Sequence, residues 1–210
     1  VLFLNTLSMY AAAMLETPDA DVLYGDLDIT DEQLVKINEL IHKDWYGKND
    51  LLLTGLFQGN CIPNPGTMIR KSCYQAAGGY DESFRRAHDY EFWSRVVKNG
   101  KFRHVPAKTL KWRWHNSNMS SGSVKCDTTF EGRVVVGMLN NYSLQELLPN
   151  LEWSAKPDES MIGAWLSTAS RLLNYNYVAG TLFCLEKAYQ LSPNPDLLEM
   201  ITKLKTNHMN

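Results

Sequence analysis

The chain has 210 residues, 44% of them hydrophobic, and a formal net charge of −2. That is enough apolar material for one buried core with an appendage, and too little positive charge for a nucleic-acid surface. No stretch supplies the roughly 18 apolar residues that span a bilayer, and Val1-Leu2-Phe3-Leu4 is too short and lacks the basic front of a signal peptide.

In chain order, residues 1 to 16 carry Leu2, Leu4, Leu7, Met14 and Leu15 around an alanine run, which predicts a helix ended by Thr17-Pro18. Val22-Leu23-Tyr24-Gly25 reads as a short strand. Leu34, Ile37, Leu40 and Ile41 stand at helical spacing and predict a second helix over 31 to 43. After the apolar run Leu51 to Phe57, the chain is broken by Gly59, Pro63, Pro65 and Gly66. A strand is expected in Pro65 to Lys71, a short helix in Ser72 to Ala77, and a turn at Gly78-Gly79. Phe92, Val96 and Val97 give the next helix its apolar face, and Asn99-Gly100 stops it. Phe102 to Pro106 and Leu110 to Trp114 read as two further strands. Composition changes near residue 145, and residues 160 to 204 read as helices.

The most informative segment runs from Gly78 to Arg95. It sets a glycine turn, then the acidic Asp81-Glu82, then His88-Asp89-Tyr90-Glu91-Phe92-Trp93-Ser94-Arg95. An aspartate in the first turn of a helix meets free backbone N–H groups and the positive helix end. A carboxylate aimed in this way suits a general base that strips a proton from a hydroxyl. The same position also suits an ordinary helix cap.

This segment resembles the signature of family 2 glycosyltransferases, the inverting enzymes of the GT-A fold. Two further stretches agree with that family. One is Leu15-Glu16-Thr17-Pro18-Asp19-Ala20-Asp21-Val22-Leu23-Tyr24-Gly25-Asp26, and the other is Pro65-Gly66-Thr67-Met68-Ile69-Arg70-Lys71. The resemblance covers roughly residues 1 to 125. It implies an α/β fold with a truncated GT-A-like mixed sheet flanked by helices. The expected domain spans residues 1–145, with a helical tail over 146–210. It also implies a nucleotide-sugar donor, a divalent ion (Mg or Mn), and a saccharide or other hydroxyl acceptor, with cell-envelope polysaccharide as the product class.

The resemblance places the catalytic base at Asp89. His88 stands where the family often has Glu, and with Glu91 it is a candidate for acceptor binding, although Glu91 lies about 200° around the helix and suits solvent or another subsite equally. Trp112 and Trp114 alternate around Arg113 on one strand face, where indole rings either stack on sugar or pack in the core. Arg95 is the candidate for the donor phosphates, or else pairs with an acid. His115 in Trp112-Arg113-Trp114-His115-Asn116-Ser117-Asn118-Met119-Ser120 is the candidate metal ligand, with a packed histidine as the alternative. Asp26-Leu27-Asp28 spells an Asp-x-Asp metal motif, but it matches the later "Y-G-D" of the family, so strand-end solvation or turn capping suits it better. The family's metal motif and first nucleotide-binding strands are then expected upstream of Val1.

Cys61, Cys73, Cys126 and Cys184 show no metal or disulfide spacing and read as free thiols of a reducing compartment. This points to the cytoplasm, with at most peripheral association at the inner membrane. Glu186 to Pro195 resembles the end of a tetratricopeptide repeat, so the tail is a candidate for binding a protein partner. One degenerate repeat does not form a solenoid, since about three are needed. Two competing readings remain: a non-catalytic module that binds saccharide or protein, and a glycosidase. The glycosidase reading requires a second facing carboxylate.

Overall fold

A computed structural model of the chain describes residues 1–115, 127–153 and 155–208. The contacts divide it into two compact units, Val1–Asp127 and Thr128–Asn210.

The first unit is built on β1 (Val22–Thr30), which is buried almost throughout, as expected of a strand covered on both faces. The strand β4 (Phe102–Arg113) pairs parallel to it along its whole length. On the other flank β2 (Lys36–Leu40) and β3 (Met68–Ile69) pair antiparallel with its two ends. Residues 1 to 3 extend the sheet beyond β4 through a bridge between Leu2 and Leu110. Val22 and Leu23 point to opposite faces of the sheet, because side chains alternate along a strand. On the Leu23 face lies α1 (Thr6–Glu16), where Tyr10, Ala13, Ala20, Leu23 and Val105 form one buried cluster. On the Val22 face, Trp93 of α4 (His88–Val96) meets Phe102, the partner of Val22, with ring centroids 5.9 Å apart. Helix α4 also packs on α2 (Asn49–Gln58), while α3 (Lys71–Ala76) leads into the glycine turn. The α/β class, with a mixed sheet flanked by helices and a helical C-terminal part, agrees with expectation.

Two local expectations are corrected. Residues 31 to 43 are not a helix but a turn followed by β2. Asp31 Oδ1 accepts the N–H groups of Gln33 (3.0 Å) and Val35 (2.8 Å), and Leu34 adopts φ +66°, which no helix admits. The apolar spacing misled because Ile37 and Ile41 stay more than half exposed, so there is no buried stripe for a helix to present. The two strands expected at 102–106 and 110–114 are one strand. Its pairing with β1 slips on either side of Asp26, so that Pro106, Ala107 and Thr109 are left over as bulge residues. A bulge is where a strand tolerates proline.

The second unit is helical: α5 (Thr129–Asn141), α6 (Leu144–Leu147), α7 (Pro157–Asn174), α8 (Val178–Leu191) and α9 (Pro195–His208). Helix α6 begins with a reciprocal cap between Ser143 and Glu146. A three-residue turn folds α8 back onto α7, and Leu172, Cys184 and Ala188 are fully buried. Among the described residues no helix is long and apolar enough to cross a membrane.

Candidate functional site

The glycine turn and α4 are fastened to each other. Gly78 and Gly79 take φ of +78° and +71°, a region open to glycine at little cost. Their carbonyl neighbourhood is held by Arg95, whose Nη1 donates to the Ala77 carbonyl and whose Nη2 donates to the Gly79 carbonyl at 2.7 Å. The guanidinium is also bidentate to Glu91, one turn back on the same helix. The hydrogen bonds to Glu91, outweighing the opposing effect of burial, raise the pKa of Arg95 above its ordinary value. Glu91 therefore faces Arg95 rather than open solvent, and all three guanidinium nitrogens are engaged within the turn and helix.

The clamp presents Tyr80 at the mouth of α4. Its ring sits 4.9 Å from Phe92, 5.3 Å from His88 and 5.8 Å from Tyr74, centroid to centroid. Its hydroxyl donates to Asn64 Oδ1 at 3.3 Å. Burial and then the negative charge of Asp89 raise the Tyr80 hydroxyl above its usual pKa.

Asp89 is the second residue of α4, inside the helix; the N-cap is Ala87, in the left-handed region at φ +55° and without a side-chain cap. The carboxylate thus stands at the positive end of the helix, but it is not a cap and takes no backbone N–H among the hydrogen bonds described. Its Oδ2 accepts instead from Asn60 Nδ2 at 2.9 Å. Oδ1 accepts no hydrogen bond from the described residues, and the side chain is half-buried. Next to it Tyr90 is buried and donates its hydroxyl to the Leu56 carbonyl, which ties this end of α4 to α2. Cys61, beside Asn60, has its thiol pushed up to about 11 by burial, so it is not a nucleophile at neutral pH.

Asp26 lies in a different setting. It is 7% exposed, and its Oδ1 meets His104 Nε2 at 2.8 Å and the His42 N–H at 2.9 Å. Tyr24 packs against both imidazoles, and burial lowers the pKa of His42. Asp28 pairs with Lys36 Nζ at 3.0 Å. Asp44 accepts the N–H groups of His104 and Tyr46 and pairs with Arg103, fixing the loop beside this cluster.

Trp112 pairs with Ile29 in the sheet, the Trp114 N–H donates to the Thr30 carbonyl, and the two indoles meet edge-on at 5.2 Å, on one face as expected. His115 follows directly and is half-buried. Asn116 to Ser120, the rest of the expected histidine segment, and Cys126 lie outside the described residues. Among the described residues no three His, Cys, Asp or Glu side chains converge on a point that would hold a metal ion. Asp26 and Asp28 of the Asp-x-Asp pattern are engaged by His104, the His42 N–H and Lys36.

Reading the sequence alone missed Asn60, Tyr80, His42 and His104. Asn60 follows a helix end marked by Gly59, which signals a loop but not what the loop reaches. Tyr80 is visible only as the aromatic member of the glycine motif.

No relative was found among curated proteins. Residues 3–142 match the family described as glycosyltransferase like family 2, and the chain belongs to that family.

Proposed function

We propose that the first unit carries the acceptor side of an inverting glycosyltransferase, with Asp89 as general base. Asp89 Oδ1 takes the proton of an acceptor hydroxyl. The freed oxygen attacks the anomeric carbon of a nucleotide-sugar from the face opposite the diphosphate. The new glycosidic C–O bond forms as the bond to the nucleoside diphosphate breaks, which inverts the configuration. His88, Trp112 and Trp114 are the proposed acceptor contacts, each offering a ring that a sugar face can lie against. The Glu91–Arg95 pair holds the turn that carries Tyr80, with Glu91 proposed toward the acceptor and Arg95 toward the donor phosphates. His115 is the proposed ligand of a divalent ion, which would balance charge on the departing diphosphate. The helical tail over 146–210 is proposed as a tetratricopeptide-like surface for a protein partner.

The observation that carries this reading is the carboxylate at the start of α4, fixed through one oxygen and open at the other. General bases contribute about 10²- to 10⁴-fold. Asp89→Asn is therefore expected to lower transfer from nucleotide-sugars by that factor while leaving the thermal unfolding midpoint in place. Transfer at the unaltered rate would remove Asp89 from the reaction.

A further inference from the structure

We infer that Asn60 is a positioning residue for the Asp89 carboxylate, an inference that rests on Asp89 being the base. The orientation of the Asn60 amide is fixed at both ends. A carboxylate only accepts, so Nδ2 must face Asp89; the Ile62 N–H only donates, so Oδ1 must face Ile62, at 3.4 Å. Ile62 is 2% exposed and anchors the loop in the core. Two successive residues of α4 thereby reach the end of α2 at two points: Asp89 through Asn60, and Tyr90 through the Leu56 carbonyl. Asn60 holds Oδ2, and Oδ1 accepts no hydrogen bond from the described residues, which leaves it to an acceptor hydroxyl. A base works only in near-attack geometry, so the donor on Oδ2 sets the aim of the reacting atom without touching substrate.

The two ends of the amide make the role separable from packing. Asn60→Asp keeps the side-chain shape and the acceptor for Ile62, but replaces the donor with a second negative charge beside Asp89. Loss of the aim lowers kcat without moving the donor KM or the unfolding midpoint of Asn60→Ala, a split that a merely structural Asn60 does not produce. The test uses the full chain with UDP-glucose, UDP-galactose, UDP-N-acetylglucosamine and GDP-mannose, each with a panel of saccharide acceptors, reading nucleoside diphosphate release. Asn60→Asp and Asn60→Ala should each lower kcat about tenfold or more, with KM for the donor within about twofold and an unchanged unfolding midpoint in Asn60→Ala. Normal kcat in Asn60→Asp, with Asp89→Asn inactive, overturns the role of Asn60 alone. Full turnover by Asp89→Asn removes the base and the inference with it.

Discussion

Asp26 and Asp89 are the two aspartates that the sequence brings forward, and their surroundings differ in kind. Asp26 is nearly buried and is engaged by an imidazole and a backbone N–H. Asp89 is half-buried, sits at a helix start, and holds one amide on one oxygen. Asp26, with both bonds on Oδ1 and only 7% of its surface exposed, is enclosed by the fold and serves it. Asp89 keeps Oδ1 without a described donor at a half-buried site, where it can receive a proton from something that arrives.

Asp89→Asn should lower transfer by about 10²- to 10⁴-fold and shift stability by no more than about 0.5 kcal/mol, as for a surface change. Asp26→Ala should do the reverse in kind, costing about 3 kcal/mol in urea unfolding because His104 and the His42 N–H lose their acceptor. A fully stable Asp26→Ala protein without transfer activity would exchange the roles assigned to the two acids.

Gly25, adjacent to Asp26, sharpens the structural side. A Cβ there would stand 2.2 Å from Thr109 Cγ2 and 2.9 Å from the Ala107 carbonyl oxygen, against the bulged part of β4. Gly25→Ala should cost about 1–3 kcal/mol by overpacking, visible as a lower unfolding midpoint; no change would mean that β4 can retreat there. On the Asp89 side, Arg95→Met strips the Ala77 and Gly79 carbonyls of their donor, and it should cost about 1 kcal/mol after allowing for partial exposure. That variant should also weaken transfer, since Tyr80 and His88 share the turn.

The smallest expected effect is on pH. Burial, opposed by the charge of Asp26, lowers His42 below its ordinary 6.5. The unfolded chain then binds the proton more readily than the folded one, so stability is complete above about pH 6.5 and declines as pH falls below it. The groups acting on His42 are Asp26, the Gly25 backbone, His104 and Lys108. His42→Gln should flatten that acidic limb in unfolding measurements, and an unchanged limb would locate the proton elsewhere.

The legible part of this chain lay where local chemistry and tertiary structure agree. The apolar run from Val22 became the central strand, the paired glycines became a left-handed turn, and Asp89 fell in the first turn of its helix, because each depends on residues close by. The spacing at 34–41 failed for the opposite reason: the open edge of β1 took residues 36–40 as a partner, and Asp31 closed the turn that permits it. Pro106 suggested a break between strands, whereas a bulge absorbs it. Asn60 was not legible at all, since its meaning is a hydrogen bond across 29 residues of chain. The same is true of His104, which reaches Asp26 over a separation of 78.

Cys61 gives the loop between α2 and the sheet a gauge of its own. With its thiol held to about 11 by burial, only about one molecule in 10⁴ carries the reactive thiolate at pH 7. Alkylation at that sulfur should therefore be slow at pH 7 while the loop keeps its packing. A substrate that steadies the neighbouring amide should slow the labelling, so the sulfur can report occupancy before any sugar has been transferred.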